Sequence, residues 1–505
     1  QRQRQKERKR QTDRQRKRHR EKDRDEQRET ERKEIKKQDS KKAFLELLQG
    51  KESMIVDFLS EEDAKTRKNT ALLIGDLKLE QAKEALIAAY LNETTLYVKS
   101  AYLTALGKLD VRENLEFFKN RLQEVKNQQV PAEEQKHQGE EIRELNEIIL
   151  KTEGAKKHQF TGFQMPHEML LLTNREQREV TFSEVKEIGA SVQRKAELHP
   201  LGVLVFSKEV TPFTKLRTYR ELLFPIHTNE RIPAMPHRAA ELLWHSDLYA
   251  FLTECHEGDA PFFFRLEVKS AEPKTEFVKK LGASLEKKSD WKLANSTTDY
   301  EIEIRLIEAK DGSFVPFLKL YSMKMKRFAY RKNAIAMSIH PATAAMLMYL
   351  AKPYLKENAQ ILDPCCGVGT MLIERDILVP AREKYGIDIF GDAIDMAREN
   401  AALAGEKINF IHRDYFDFKH DYKFDEIVTN MPVKGKKAKE DMDAFYARFF
   451  EKSKSLLAED GIIIMYSNEV GFVKKQLRLQ PCYRLIQEYT IRKKDSYCLF
   501  IIGMK

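Results

Sequence analysis

Apolar residues follow three different patterns along the chain, and each pattern predicts a different architecture. In residues 43–127 the apolar positions recur three and four apart, which indicates amphipathic helices. From about residue 158 the apolar residues form short runs, and from about residue 340 such runs alternate regularly with helical stretches. The pattern therefore predicts a multidomain chain with a helical module, an α+β region and a C-terminal α/β domain.

The helical region, residues 43–127, contains a weak internal repeat. The segment RKNTALLIGDL realigns with YVKSAYLTALGKL and places Gly75 over Gly107. Each segment precedes a second helix, such as Leu79–Leu91. This arrangement resembles HEAT-type repeats, which stack in layers and present binding surfaces, so we expect a protein partner there. A plain helical bundle fits the same pattern.

Two polar segments flank the helical region. Residues 1–42 hold 20 Lys or Arg against 10 Asp or Glu side chains, so the whole net charge of +10 lies in this segment. Almost no apolar residue occurs there, which predicts a disordered basic arm that either attracts phosphates or only aids solubility. Residues 128–157 are polar with one amphipathic run, Glu141–Leu150, and are interpreted as a linker that contains a helix.

Strand signals in residues 158–325 predict one or two small α+β units. The apolar runs, with one helix among them, are Glu168–Thr173, Leu201–Ser207, Phe262–Val268, the helix Thr275–Lys287, Tyr300–Ile307 and Phe314–Leu320. The run YEIEIRLI alternates strictly, which predicts that Glu301, Glu303 and Arg305 face water.

The C-terminal part alternates strands with helices, which predicts a parallel sheet covered by helices on both faces. The predicted strands are Gln360–Leu362, Tyr385–Ile387, Asn409–His412, Glu426–Thr429, Gly461–Tyr466, Arg484–Tyr489 and Tyr497–Gly503. Only a hairpin-sized gap separates the last two strands, so the last strand is predicted to run antiparallel.

The first turn from strand to helix in this part has the sequence ILDPCCGVGT. The strand ends at Asp363 and Pro364, and Gly367 and Gly369 let the backbone reach positive φ and approach a ligand closely. Thr370 lies at the helix start, where backbone N–H groups can receive a carboxylate. The sequence is not GxGxxG and lacks GK[ST], which argues against a dinucleotide site and a P-loop.

Acidic residues follow the next two predicted strands, at the same edge of the sheet. Asp388, followed by Ile389, suits a ribose diol because its carboxylate can accept both hydroxyl groups. Asp414, followed by Tyr415, can accept a hydrogen bond from an adenine amine. The three strand-end acids together favour a cofactor site over simple loop capping.

The fourth predicted strand ends in the tripeptide Asn430, Met431 and Pro432. The Asn430 amide and the Met431 carbonyl can accept the N–H groups of an exocyclic amine and hold its nitrogen in line with a methyl donor. No strong general base is required, because the proton can leave after transfer. Asn430 therefore borders both the cofactor and the target.

The ordered set DPCCGVGT, GID and TNMP resembles class I, Rossmann-type methyltransferases that modify amino groups of nucleic-acid bases. Arg331 and the stretch Ser338–Thr343 resemble the lead-in of the THUMP-domain branch, guanine-N2 type. The resemblance implies S-adenosyl-L-methionine as cofactor and a guanine amine of tRNA, or of rRNA, as target. The domains that it implies are a ferredoxin-like subdomain at 158–245, a THUMP-like RNA-binding domain at 246–325 and a methyltransferase domain at 326–505.

The resemblance also assigns roles to individual residues of this chain. It gives Asp363, Gly367, Gly369, Asp388 and Asp414 to the cofactor, and Asn430 and Pro432 to the target amine. Val433 departs from the pattern, because the family carries Phe or Tyr there, which stacks on the flipped base. The basic run Lys434–Lys439 favours RNA, and Phe416, Phe445 and Tyr446 are candidate replacements for the missing ring.

Val433 keeps a second hypothesis open, namely an RNA-binding scaffold that retains an idle methyltransferase fold. A methyltransferase for protein glutamine or DNA adenine is a third, weaker fit, since those enzymes prefer NPPY. Cys365 and Cys366 are interpreted as packing residues, and His340 and His412 lack partners at metal spacing, so no metal is expected. The absence of a long apolar window and of a disulfide pattern predicts a cytoplasmic protein without a membrane partner.

Overall fold

The computed structural model describes residues 53–131, 133–153, 157–188, 195–258, 261–433 and 442–505. Two compact units divide the chain, one ending at Lys156 and the other beginning at Lys157. The predicted arm, residues 1–42, and the basic run Lys434–Lys439 lie outside the described residues. Within the described ranges, no helix is both long and apolar enough to cross a bilayer.

The first unit is helical, as its apolar spacing predicts. Its helices are Ser53–Asp57, Ala64–Leu77, Lys83–Asn92, Leu96–Leu106, Leu115–Asn127 and Gln135–Glu153. The last of these corrects the predicted linker, because it packs on Leu96–Leu106 and buries Leu145 and Ile148 in the common core. The polar composition of residues 128–157 indicated a linker, but the amphipathic spacing of its helix shows that this helix belongs to the packed module.

The two repeat-related glycines lie where successive helices meet. A Cβ atom on Gly75 would come within 2.6 Å of the Cα of Ala105, in the helix Leu96–Leu106. A Cβ atom on Gly107 would lie 3.4 Å from Cγ1 of Ile148, in the helix that follows in the stack. Each glycine therefore faces the second helix after its own along the chain, which gives their spacing a packing reason. The HEAT-type assignment itself stays a prediction.

The second unit begins with an α+β region, residues 157–325. Its strands are β1 (Gln159–Phe160), β2 (His167–Leu172), β3 (Lys195–His199), β4 (Gly202–Ser207), β5 (Glu221–Pro225), β6 (His256–Glu257), β7 (Phe262–Lys269), β8 (Leu293–Asn295), β9 (Ile302–Glu308) and β10 (Phe314–Leu320). Its helices are Arg178–Glu187, Thr211–Lys215, Pro236–Trp244, Leu248–Glu254 and Thr275–Lys288. Strands β1 and β6 pair separately, and the other eight form one sheet in the order β3-β4-β2-β5-β10-β9-β7-β8. Because β5 pairs with β10, the ranges predicted as two subdomains share one sheet and one core.

Three charged residues at β9 are buried, Glu301 just before the strand and Glu303 and Arg305 within it, which corrects the prediction that they face water. Glu301, Glu303 and Arg305 are 2%, 0% and 4% exposed. Strand β9 lies inside the sheet, and other strands supply partners of opposite charge. Arg265 on the adjacent β7 donates to Glu303 over 2.9 Å, and Arg305 donates to Glu221 on β5, which lies beyond β10, over 3.1 Å. Alternation along one strand cannot show that other strands of the sheet neutralise its polar face.

The C-terminal domain, residues 326–505, contains all seven predicted strands. They are β11 (Gln360–Asp363), β12 (Glu383–Asp388), β13 (Asn409–His412), β14 (Phe424–Asn430), β15 (Leu457–Ser467), β16 (Tyr483–Arg492) and β17 (Tyr497–Met504). The helices are Pro341–Ala351, Thr370–Leu378, Gly391–Ala404, Met442–Leu456 and Val470–Leu479. The strand order is β13-β12-β11-β14-β15-β17-β16, with β17 antiparallel to both neighbours. The predicted α/β sheet with an antiparallel last strand is confirmed.

The α+β region and the C-terminal domain are joined by a buried ionic contact. Arg217 donates two hydrogen bonds of 2.8 Å to Glu374, and the Tyr330 hydroxyl donates a third over 2.6 Å. Glu374 lies on the helix Thr370–Leu378, and its side chain is fully buried. This helix follows the loop that contains Gly367 and Gly369, which we call the glycine loop. Nearby, the Asn174 amide donates to the carbonyl of Ile491 on β16 over 2.9 Å. These contacts fix the position of the α+β region beside the sheet edge.

The close approach at Gly75 gives a prediction with an internal control. Gly75→Ala is expected to destabilise the helical module by about 1–3 kcal/mol, because the added methyl collides with backbone. Gly139→Ala, in the helix Gln135–Glu153, adds a methyl with no atom within 4 Å and is expected to stabilise it by up to about 1 kcal/mol. Calorimetric unfolding of the full chain measures both, and shifts of the same sign would contradict the packing account.

Candidate active site

The strand order places the ends of β11 and β14 side by side, at the switch point where the order of the strands reverses. Cavities form at this edge in doubly wound sheets, because the connecting helices diverge to opposite faces. A cavity of about 350 Å³ opens here between Asp363 and Asn430. We call it the acidic cavity; it is lined by Ile335, Met337, Ser338, Ile339, Asp363, Cys365, Cys366, Gly367, Val368, Thr370, Met371, Asp388, Phe390, Asn430, Met431, Pro432 and Val433.

Asp363 ends β11 and is only 1% exposed. One of its oxygens, Oδ1, accepts a hydrogen bond of 3.1 Å from the backbone N–H of Cys365. The other, Oδ2, is buried and has no partner among the described residues. Burial raises the pKa of Asp363 to about 8. A carboxyl group in this state becomes a carboxylate most readily when a cation enters the cavity.

Asp388 fixes the conformation of the glycine loop. The Asp388 carboxylate accepts hydrogen bonds from the backbone N–H groups of Gly367 over 2.8 Å and of Phe390 over 3.0 Å. Gly367 has a φ of 52°, and no atom lies within 4 Å of where its Cβ would be. Its backbone is therefore accessible from the cavity. Gly369 has a φ of 81°, and a Cβ there would lie 2.9 Å from the Phe410 ring. Both positions therefore require glycine, as the sequence predicts.

The donor set of the acidic cavity fits a ligand that combines a positive charge with hydroxyl or carboxylate groups. Asp363 and Asp388 are the acidic side chains among its described lining residues. Thr370 begins the helix Thr370–Leu378, and its buried Oγ1 lacks a partner in the described part of the chain. A helix start with a free hydroxyl can receive a carboxylate, while the two acids can receive a cation and a diol.

The predicted site residues do not all line this cavity. Pro364 is buried behind the loop, and Ile389 is 58% exposed with its carbonyl turned to the His412 ring. Asp414 is exposed and accepts a hydrogen bond from the Phe416 N–H over 2.9 Å. Tyr415 is buried, and its hydroxyl pairs with Ser453 in the core. The remaining predicted residues line the acidic cavity, except Gly369, which packs against the Phe410 ring.

Sequence reasoning missed Phe390, whose ring is 63% exposed and lines the acidic cavity. A large exposed aromatic residue just after a strand-end acid is the signal that could have found it. Cys365 and Cys366 also line the cavity, and burial raises the pKa of both thiols well above its ordinary value. They therefore stay protonated, which supports their interpretation as packing residues.

A second cavity, of about 300 Å³, adjoins the first. We call it the basic cavity; its lining residues are Asn174, Arg220, Ala336, Met337, Ser338, Ile339, His340, Thr343, Asn430, Val433, Tyr466, Ile491, Arg492 and Tyr497. Arg220 and Arg492 are both positive, and no carboxylate occurs among the lining residues that the structure describes. Asn430 and Val433 line both cavities, so they stand at the boundary between an acidic chamber and a basic one.

Comparisons with known proteins agree on the class of the C-terminal domain. Residues 329–494 match the family model "RMKL-like, methyltransferase domain". The tRNA (guanine(10)-N2)-dimethyltransferase of Methanothermobacter thermautotrophicus is 33% identical over 162 residues, which are 32% of this chain and 46% of that protein. The U6 snRNA (guanine-N(2))-methyltransferase THUMPD2 of Bos taurus is 26% identical over 192 residues, 37% of this chain and 36% of that protein.

The fold of the second unit also has a solved counterpart. The crystal structure of SMU.472, described as a methyltransferase and solved with SAH, covers 67% of this chain and 98% of its own, with 14% identity and a TM-score of 0.50. This likeness concerns the fold alone. The chain spans less than half the length of the two relatives above, so the likeness to them concerns the shared methyltransferase domain.

The buried carboxyl of Asp363 predicts a pH dependence of cofactor binding. Since its pKa in the free site is about 8, a ligand whose ammonium group pairs with Asp363 must displace a proton below that pH. The affinity for S-adenosylhomocysteine should therefore rise about tenfold from about pH 6.5 to about pH 8, as measured by calorimetry.

Asp363→Asn is the matched control for this titration. Both proteins share the titration of the ligand amino group, so the difference between them isolates Asp363. The variant should bind more weakly at high pH and lose the rise. Parallel pH profiles of the two proteins would contradict the role of Asp363.

Proposed function

We propose that this chain is an S-adenosylmethionine-dependent methyltransferase that modifies the exocyclic N2 amine of a guanine in RNA. Its C-terminal domain is a methyltransferase domain, and S-adenosylmethionine is the cofactor. One observation carries the proposal: two cavities of opposite charge meet at Asn430, at the switch point of the sheet. An acidic cavity suits a cationic methyl donor, and a basic cavity suits an anionic acceptor.

The residues of the acidic cavity hold the cofactor. Thr370 and the start of its helix receive the carboxylate, Asp363 faces the cationic part, and Asp388 receives the ribose hydroxyls. The cofactor supplies an electrophilic methyl group on a positively charged sulfur. Cys366 and Val368 contribute apolar surface to the lining of the cavity.

The end of β14 positions the amine. The Asn430 side chain and the Met431 carbonyl accept its two N–H groups, so that the nitrogen faces the cofactor. The backbone N–H of Met431 donates to the carbonyl of Tyr466 over 2.9 Å, which fixes this turn against β15. Methyl transfer would form one N–C bond while the S–C bond of the cofactor breaks and S-adenosylhomocysteine leaves, and the cationic amine would then lose one proton to solvent, so no strong base is needed.

The choice of substrate rests on charge and on the relatives. The described lining of the basic cavity has two arginines and no acid, which favours a phosphate-bearing substrate over a lysine-rich protein. The names of the two relatives above specify guanine N2 in tRNA and in U6 snRNA. We therefore propose a structured RNA, with tRNA tested first and rRNA second.

An idle methyltransferase fold that only binds RNA is the second candidate. Val433 motivates it, because the described aromatic candidates do not replace a ring at that position. Tyr446 is fully buried with its hydroxyl paired to Ser467, and Phe416 packs edge-on against Phe445 outside both cavities. The idle fold predicts RNA binding without methyl transfer.

The test is transfer of a tritiated methyl group from S-adenosylmethionine to total cellular RNA, followed by nucleoside mass spectrometry. N2-methylguanosine in the product supports the proposal, and the size fraction that carries the label identifies the RNA class. Intact RNA binding with no incorporated label would establish the idle fold. A different methylated nucleoside would keep the enzyme and overturn the guanine assignment.

Asn430→Ala separates the amine site from the cofactor site. Removing the side-chain acceptor is expected to lower kcat at least about 100-fold, with S-adenosylhomocysteine affinity changed less than about twofold. Asn409→Ala, at the exposed start of β13, is the matched control and should behave like the unmodified protein. Near-normal turnover of the Asn430 variant would defeat the assignment.

A further inference from the structure

The basic cavity contains an aromatic wall that the motif at 430–433 does not supply. Tyr466 pairs directly with Asn430 in the parallel ladder between β14 and β15, so both side chains lie on the same face of the sheet. The Tyr466 ring stacks on Tyr497, with 4.9 Å between centroids and 27° between planes. Two rings therefore stand beside the proposed target position, on the far side of Asn430 from the cofactor.

Tyr497 is the more accessible ring of the pair. Tyr466 is only 5% exposed, whereas Tyr497 is half-buried at the start of β17. The Arg492 guanidinium lies 4.3 Å from the Tyr497 ring centroid, and its ion pair with Asp495 is long, at 3.4 Å, and exposed. Tyr497 and Arg492 thus combine a flat apolar surface with a cation that remains available to a phosphate.

A second arginine reaches the cavity from the α+β region. Arg220 directly precedes β5, is exposed, and donates a hydrogen bond of 3.4 Å to the Thr343 hydroxyl. Within the described ranges, no carboxylate lies within ion-pair distance of Arg220. Arg220 and Arg492 therefore place two incompletely neutralised guanidinium groups around one small cavity.

His340 adds a neutral donor between these charges. Partial burial of the ring, together with the nearby Arg220, lowers the pKa of His340 to about 4, so the ring is uncharged at neutral pH. Its Nδ1 accepts a hydrogen bond of 3.1 Å from the backbone N–H of Ala342, at the start of the helix Pro341–Ala351. The proton therefore resides on Nε2, which can donate to a carbonyl or phosphate oxygen.

We propose that the basic cavity receives the target nucleotide, with the Tyr466–Tyr497 pair as its aromatic wall and Arg220 and Arg492 as its phosphate ligands. This inference rests on the proposed function and specifies its substrate side. The volume of about 300 Å³ suits one flipped nucleotide and not a base pair. Tyr497 takes over the stacking that Val433 cannot provide, and Arg220 makes the α+β region part of the site.

The first experiment measures kcat/KM for RNA methylation in single variants of the full chain. Tyr497→Ala, Arg220→Ala and Arg492→Ala should each lower kcat/KM about 10- to 100-fold, while S-adenosylhomocysteine affinity stays unchanged. Tyr497→Phe keeps the ring and should retain most of the activity. Tyr422→Ala, at a 72% exposed tyrosine outside both cavities, is the matched control. Normal kcat/KM in Tyr497→Ala would overturn the proposal.

The second experiment does not depend on turnover. Saturation-transfer NMR should detect binding of guanosine 5′-monophosphate to the protein loaded with S-adenosylhomocysteine, and Tyr497→Ala and Arg492→Ala should abolish the signal. Absence of the signal in the unmodified protein, or its persistence in both variants, would overturn the nucleotide cavity. If the signal follows the proposal and no RNA is methylated, the proposed function fails while the nucleotide cavity stands.

Discussion

The buried ion pair between Arg217 and Glu374 is the contact on which the geometry of the site depends. Glu374 is completely buried, and a carboxylate in that position is tolerated only with charged partners in good geometry. Its partners are Arg217 from the α+β region and Tyr330 from the beginning of the C-terminal domain. Glu374 lies on the helix that begins at the glycine loop. One contact therefore fixes both the loop and the region that supplies Arg220.

Local patterns in the sequence were sufficient for the glycine loop and for Asp363 and Asp388, but not for Asp414 and Tyr415, which do not line the acidic cavity. The seven strands of the C-terminal domain, the glycine loop and the residues at the strand ends are all encoded within a few neighbouring positions. The target side required the fold, because Tyr466 and Tyr497 reach Asn430 only through the pairing of β14, β15 and β17. Buried Glu303 and Arg305 were missed for the same reason, since their partners lie on other strands.

The two cavities place side chains of opposite charge at one edge of the sheet. The acids follow β11 and β12 on one side of the switch point, and the cations come from β16 and from the α+β region on the other. Asn430, uncharged, separates them. A charged residue at this boundary would favour one ligand at the expense of the other, whereas an amide offers a hydrogen-bond acceptor without a net charge.

The direction of the last strand has a geometric consequence for this edge. Parallel strands contribute only their carboxyl ends to the rim where the cavities open. Strand β17 runs the opposite way, so its amino end, with Tyr497, arrives at that rim. Strand β16 runs with the parallel set and brings Arg492 to the same place, where Arg492 and Tyr497 are paired across the hairpin. Because β17 is antiparallel, the turn of the β16–β17 hairpin lies at this rim, and its residues line the basic cavity.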